Sequence, residues 1–395
     1  MDRGNMNVPG YAGDQSDADL DAMLAASEDH MLAAIQASLD LETGLAKIIG
    51  DPPHPGTVGR GDELAAARPG ELLARKFALL AGQGELANET IDQVYDDARR
   101  LAWAYPQRPL TSIMPDLVMT QNTIFTLLEG RRRPANARQL YLLGGVVGGM
   151  LAKASHDMAD PLAALTQSRT AYLCADQADH DGLRAWIRGL QALITYWDGR
   201  LKESVRYAQQ GAQFAGRGRS TATVWLPVSE ARAWAALGNV PAARRAIDSA
   251  EAAWENVRGD ELDELGGLCT FSRPRQLYYS ADALAWLPTE AAWDYAEQAV
   301  TAYDNVNAPE WAFGDASGSR CDLAIARINL GEIEGAREAI APVLDLPVEQ
   351  RIRGIISSIQ HVYEALRRPN LPQAGSDLQE EIEVFIKVRL RSLPA

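Results

Sequence analysis

The stretch that decides the fold is residues 180–205, HDGLRAWIRGLQALITYWDGRLKESV, with its counterpart at residues 231–247, ARAWAALGNVPAARRAI. In each, a run with helical periodicity ends at a glycine, Gly199 or Gly238, and a second helical run follows after a short turn. Glycine accepts the left-handed backbone that closes a helix without steric cost. Both stretches therefore predict a hairpin of two helices.

Small residues flank each of these turns at fixed distances. An alanine stands seven residues before each glycine, and a serine or alanine stands five residues after it. Small side chains let the two helices of a hairpin approach closely. The pattern recurs around Ala159, Gly199, Gly238, Leu287 and Gly331, at intervals of 40, 39, 49 and 44 residues. This is the spacing of a tetratricopeptide-type repeat, lengthened beyond its usual ~34 residues.

The fold class predicted from this pattern is all-α, a right-handed superhelix of tetratricopeptide-like helical hairpins. No segment has the alternating pattern of a β-strand. Three parts are expected: a flexible N-terminus at residues 1–18, an acidic helical lead-in with a Pro/Gly linker at residues 19–70, and the helical solenoid at residues 71–395. Within residues 1–70, 12 acidic residues stand against 4 basic ones.

Composition and motifs narrow the classes of function. The net charge of -15 argues against non-specific attraction to nucleic acid or to an anionic membrane. The 3 cysteines fit a reducing cytoplasm better than a disulfide framework. The histidines lack metal-ligand spacing, and no nucleophile elbow occurs. We therefore expect no catalytic residues, no metal, no cofactor and no membrane span.

Two motifs have a structural interpretation. The glycines of residues 144–149, GGVVGG, fall inside a predicted helix, where glycines four apart let helix backbones touch. They are not expected to bind phosphate, because no strand precedes them. The basic cluster at residues 131–133 is expected to interact with the last carbonyls of the preceding helix.

The candidate binding site is a concave groove that is expected to face solvent, since the first helix of each tetratricopeptide hairpin lines that face. Aromatic and arginine side chains there are typical of binding hot spots. An equally weighted alternative is that several of the tryptophans wedge between hairpins, and Trp234 is assigned to packing. The candidate groove residues are Lys153, His156, Arg184, Trp186, Arg188, Tyr196, Trp225, Arg232, Tyr278 and Asp322.

Three phrases carry a family resemblance: RPANARQLYLLGGVVGGMLAKASHDM at residues 133–158, YLCADQADHDGLRAWIRGLQALITYWDGR at residues 172–200, and RINLGEIEGAREAIAPVLDLPVEQRI at residues 327–352. They resemble the tetratricopeptide-like C-terminal region of actinobacterial helix-turn-helix transcriptional regulators of the XRE kind. The likeness spans residues 72–385. It implies a region that senses a peptide, a small molecule or a partner protein. Residues 1–70 depart from the family pattern, because they contain no two-helix unit with a recognition helix.

The leading hypothesis is a non-catalytic cytoplasmic regulatory protein, acting in transcriptional, developmental or secondary-metabolism control. Its solenoid would bind a peptide, a small effector or a protein partner. Direct binding to nucleic acid is not expected, and a homodimer is compatible with the sequence. Two alternatives stay open: a DNA-binding regulator that uses an unrecognised element, and an enzyme in a helical fold.

Overall fold

The computed structural model describes residues 88–130, 132–215, 220–285, 291–367 and 373–387. The predicted N-terminus and lead-in, residues 1–70, lie outside these ranges. All regular structure within them is helical, with fourteen α-helices, four short 3-10 turns and no strand. The all-α prediction is confirmed.

In chain order the helices are α1 Asn88–Ala104, α2 Leu110–Glu129, α3 Pro134–Asp157, α4 Pro161–Gln177, α5 Asp181–Trp197, α6 Leu201–Ala215, α7 Ala222–Ala236, α8 Val240–Ala253, α9 Arg273–Ala285, α10 Ala291–Ala302, α11 Phe313–Leu330, α12 Ile333–Leu344, α13 Arg353–Leu366 and α14 Gln373–Lys387. Among the described ranges, no helix is long and apolar enough to cross a membrane.

From α3 onward, consecutive helices pack in pairs, and the first helix of each pair also packs on the first helix of the next. We call these first helices, α3, α5, α7, α9, α11 and α13, the inner row. Helix α5 is buried along most of its length, as are α3 and α11, whereas α4 buries only one face. The inner row is therefore the core of the array, and its partners form the outer layer.

The predicted turn chemistry is confirmed where the structure describes it. The backbone is left-handed at Ala159, Gly199, Gly238 and Gly331, with φ of 67°, 74°, 76° and 84°. The fifth predicted turn position, Leu287, lies outside the described residues. The small residues at the predicted offsets around these turns are buried between the paired helices, as at Ala192 and Ser204.

The glycine run of α3 packs against neighbouring helices, as expected. A side chain at Gly145 would meet the Ala171 carbonyl at 3.2 Å, and one at Gly149 would collide with the Trp186 ring. At the basic cluster, the Nε of Arg132 donates a hydrogen bond to the Leu127 carbonyl near the end of α2. Both motifs therefore have structural roles.

The inner row closes on itself. Helix α13 contacts α3, and the Nη2 of Arg353 donates to the Trp197 carbonyl at 3.1 Å. The backbone N–H of Phe313, at the start of α11, donates to the Pro106 carbonyl in the α1–α2 turn at 3.1 Å. The segment after α8 covers the same region, since the Leu268 carbonyl accepts from Trp186 Nε1 at 3.3 Å. These contacts leave an enclosed interior where an open groove was expected.

Candidate functional site

Three inner helices present a polar stripe to this interior. Within each stripe the residues are four and three positions apart, which places them on one helix face across two turns, about 10 Å. The stripes are Trp225, Ser229 and Arg232 on α7, Arg275, Tyr279 and Asp282 on α9, and Asp315, Ser319 and Asp322 on α11. The first residue of each stripe lines a cavity, and the last belongs to a buried cluster.

The cavity has a volume of about 60 Å³. It lies where the α1–α2 turn and helices α3, α5, α7, α9 and α11 meet. Its lining residues are Tyr105, Pro106, Leu110, Lys153, Asp157, Leu190, Leu193, Trp225, Leu268, Arg275, Tyr279, Ala312, Phe313, Gly314, Asp315 and Ile352. Two cation–carboxylate pairs stand among apolar and aromatic walls, so the cavity combines charge with a low-dielectric surround.

The first pair is carried by α3. Lys153 Nζ donates to both carboxylate oxygens of Asp157, at 2.6 and 2.7 Å, and the Tyr105 hydroxyl donates to Asp157 Oδ2 at 2.9 Å. Burial raises the pKa of Asp157, Lys153 opposes that rise, and the Asp315 carboxylate adds to it. Asp157 and Asp315 both line the cavity, and each carries its own cationic partner.

The second pair joins α9 to α11. Arg275 Nε donates to Asp315 Oδ2 at 2.6 Å, and the Tyr303 hydroxyl donates to the same oxygen at 3.2 Å. Arg275 Nη1 donates to the Thr270 carbonyl at 3.2 Å. The side chains of Arg275 and Asp315 remain 12% and 18% exposed, so both reach the cavity without being sealed from it.

Aromatic rings form the wall between the cavity and the deeper interior. Trp225 stacks on Phe271, with ring centroids 5.8 Å apart and an interplanar angle of 13°. Phe271 meets Tyr279 edge-on at 5.4 Å. Tyr279 then lies below the Arg232 guanidinium, whose Cζ is 4.2 Å from the ring centroid. The cavity and the cluster around Arg232 therefore share this tyrosine.

Arg232 is the centre of the buried cluster. Its side chain is 2% exposed, and its Nε donates to Asp282 Oδ2 at 2.5 Å. The same oxygen accepts from the Tyr196 hydroxyl at 3.0 Å. Besides Tyr279, three rings surround the guanidinium, with centroids 4.4 to 5.7 Å from Cζ: Tyr196, Trp197 and Tyr278. A delocalised guanidinium stacks well on such rings, so the cluster compensates a buried cation.

The pKa values of two further ionisable groups are shifted beside it, each in the direction that favours the neutral form. Burial raises the pKa of Asp322 well above its usual value, and the Asp282 carboxylate raises it further. Burial lowers the pKa of His156 well below its usual value, helped by Lys153 and other nearby cations. Within the described part of the chain, Arg232 Nη2, Asp322 Oδ2 and His156 Nδ1 are buried without a hydrogen-bond partner. Such atoms are rare in folded proteins, and they leave hydrogen-bonding capacity in the interior.

The structure brings most of the predicted groove residues together. Lys153 and Trp225 line the cavity. Five others belong to the buried cluster beside it: His156, Tyr196, Arg232, Tyr278 and Asp322. The remaining three are elsewhere: Trp186, Arg184 and Arg188.

Those three residues have structural surroundings of their own. Trp186 packs against Gly149 of α3 and is 1% exposed. Arg184 pairs with three aspartates around the α4–α5 turn. Arg188 lies over the Tyr172 ring, its Cζ 4.0 Å from the centroid, on the outer side of the array.

The expectation that the groove faces solvent is wrong for seven of these ten residues. His156, Trp186, Tyr196, Trp225, Arg232, Tyr278 and Asp322 are at most 7% exposed. The physical reason is that other parts of the chain cover the expected face. Helix α13 contacts α3 and reaches the end of α5, and the segment after α8 packs on Trp186 and Trp225.

Sequence reasoning missed four charged residues of the site, Asp157, Arg275, Asp282 and Asp315. A signal for them exists in the chain. Arg275 and Asp282 are seven apart on one helix face, with Tyr279 between them. A repeated seven-residue polar spacing on several inner helices would have marked the interior face.

Other kinds of site find little support in the described residues. No group of three or more histidine, cysteine or acidic side chains is placed there to hold a metal ion. The three cysteines are buried thiols, and burial raises the pKa of Cys174 to about 11. Comparison with known proteins finds neither a family model nor a curated protein that matches this chain.

Proposed function

We propose that this chain is a non-catalytic regulatory protein of the cytoplasm that binds a small effector inside its helical array. The hairpins would form a right-handed tetratricopeptide-like superhelix, wound tightly enough to enclose its concave face. The observation that carries this proposal is the cavity itself, where two ion pairs meet aromatic walls at the junction of six chain elements.

A small effector is favoured over a peptide or a protein partner because of the enclosure. A peptide needs an accessible groove, and the aromatic residues that would have contacted it are buried. Ligand sites for drug-sized molecules occupy about 300–1,000 Å³, whereas this cavity has about 60 Å³. The effector is therefore small, or the array must widen to admit a larger one.

Regulation would follow from the position of the cavity. Its lining joins the α1–α2 turn to α9 and α11, which are far apart in the chain. A ligand that contacts both sides binds the closed arrangement better than an opened one. Such a ligand shifts the population towards the closed state. The size of the shift is set by the difference between its affinities for the closed and the opened state. The closed state would then differ from the opened one in the surface offered to a partner.

The test is ligand-induced thermal stabilisation, measured on the full chain with a defined panel of metabolites, each tested alone. Gly314 lines the cavity, and a side chain there would meet only Ile352, at 3.4 Å from the added Cβ. We expect Gly314→Leu to fill the cavity and abolish any stabilisation seen with the unaltered chain.

The matched control is Gly354→Leu, at a helical glycine whose added Cβ would have open space. This variant should keep the response to ligand. The proposal is refuted if no compound stabilises the unaltered chain, or if Gly314→Leu responds as the unaltered chain does.

A further inference from the structure

The chemistry of the cavity lining narrows the class of effector. Lys153 and Arg275 carry positive charge, and Asp157 and Asp315 carry negative charge. With both pairs ionised, the formal charge of the lining sums to zero. A ligand with a net charge would bring an uncompensated charge into a confined, largely apolar space, which is strongly unfavourable.

The cation and the carboxylate of the second pair each have a side-chain atom that takes no part in the hydrogen bonds given above. Arg275 uses Nε and Nη1 in its hydrogen bonds to Asp315 and Thr270, and Nη2 takes part in neither. Asp315 accepts both of its side-chain hydrogen bonds on Oδ2, which leaves Oδ1. Arg275 and Asp315 both line the cavity, so a donor of one charge and an acceptor of the other stay outside these hydrogen bonds at its edge.

Size sets a second limit. One water molecule needs roughly 10–15 Å³ of cavity volume. The cavity has about 60 Å³, so it holds roughly four to six non-hydrogen atoms or water-sized groups. Leu190, Leu193 and Phe313 supply apolar surface beside the charged wall. The space suits a molecule with two opposite charges and a short apolar part.

We infer that the cavity binds a small zwitterion, an amino acid with a short side chain such as glycine or alanine. This inference rests on the proposed function, because it names the effector of the same cavity. The ligand carboxylate would pair with Arg275 Nη2 and Lys153, and its ammonium group with Asp315 Oδ1 and Asp157. The ligand then satisfies both signs of charge and adds no net charge.

The experiment is isothermal titration of the full chain with alanine, acetate and methylammonium at matched ionic strength. Alanine should bind at one saturable site. Acetate and methylammonium should bind weaker by roughly tenfold or more, since each leaves one sign of charge unmatched. Equal affinity for acetate and alanine would overturn the inference.

Charge-altering variants make the test independent of stability. Asp315→Asn leaves one excess positive charge, so alanine should bind weaker by roughly tenfold or more while acetate gains affinity. Lys153→Gln leaves one excess negative charge and should favour methylammonium. Structural damage would weaken the binding of every ligand. It could not reverse the preference between acetate and methylammonium. The matched control is Glu261→Gln, because Glu261 forms an exposed ion pair with Arg138. This variant should leave the affinities for alanine, acetate and methylammonium unchanged.

The outcomes separate this inference from the proposed function. If glycine and alanine fail to bind, but another compound of the panel binds and loses binding in Gly314→Leu, the zwitterion inference is wrong and the effector cavity stands. If no compound binds the unaltered chain, both are wrong. If alanine binds but Asp315→Asn and Lys153→Gln leave the ligand preference unchanged, the site of binding is not this cavity.

Discussion

The buried pair of Arg232 and Asp282 offers the sharpest test of the enclosed interior. Replacing Arg232 by Met removes the cation, while the aliphatic part of the side chain still fills much of its space. Asp282 then keeps its carboxylate in the interior, with the Tyr196 hydroxyl as its remaining partner among the hydrogen bonds described above. A buried charge without its counterion is strongly destabilising.

The expected cost of Arg232→Met is about 3–5 kcal/mol in the free energy of unfolding, the range for removing one partner of a buried ion pair. Asp282→Asn leaves the guanidinium uncompensated, so we expect a similar loss. The double variant buries no unpaired charge at this position. It should therefore cost no more than the costlier single variant, which implies a coupling energy at least as large as the smaller single loss, about 3 kcal/mol.

Urea denaturation followed by far-ultraviolet circular dichroism measures all four proteins of this cycle. The matched control is Arg138→Met, because Arg138 and Glu261 form an ion pair with side chains 44% and 50% exposed. Its cost should stay below about 1 kcal/mol. Additive single-variant losses, or a loss below about 1 kcal/mol for Arg232→Met, would show that the pair is solvated and that the interior is open.

Three further predictions follow from the fold. Trp186→Ala should lower the free energy of unfolding by about 3–5 kcal/mol, as for other emptied tryptophan sites, and a melting temperature close to that of the unaltered chain would contradict the burial. Gly199→Ala should cost about 1–2 kcal/mol in urea denaturation, because φ is 74° and the added Cβ has open space; Gly354→Ala, within a regular helix, should not destabilise. Burial raises the pKa of Asp263 from 3.8 to about 6, so the folded chain holds this proton more tightly than the unfolded chain. Its contribution to stability is complete below about pH 4 and is lost as the pH rises through about 6. The urea midpoint of Asp263→Asn should therefore fall less between these pH values than that of the unaltered chain. An equal fall in both proteins would contradict the raised pKa.

The local features of the fold could be predicted from the sequence. A positive φ at Gly199 or Gly238 depends on the backbone of one residue, and the burial of Ala192 and Ser204 depends on positions in the same hairpin. The interior face of the inner helices was also predictable in part, because residues on one helix face recur every three or four positions. That is why Lys153 and Trp225, two of the predicted groove residues, both line the cavity.

The openness of that face could not be predicted, because it depends on how small rotations between successive hairpins add up along the array. Contacts such as Arg353 with the Trp197 carbonyl join residues more than 150 positions apart and turn the expected groove into an enclosed interior.

The set of charges that lines the cavity could not be predicted for the same reason. Asp157, Arg275 and Asp315 belong to three different helices, and each alone would be read as a solvated side chain. The sequence by itself determined the hairpins and the face that each inner helix presents. Only the tertiary structure decided which charges meet on that face, because that depends on long-range closure and not on local periodicity.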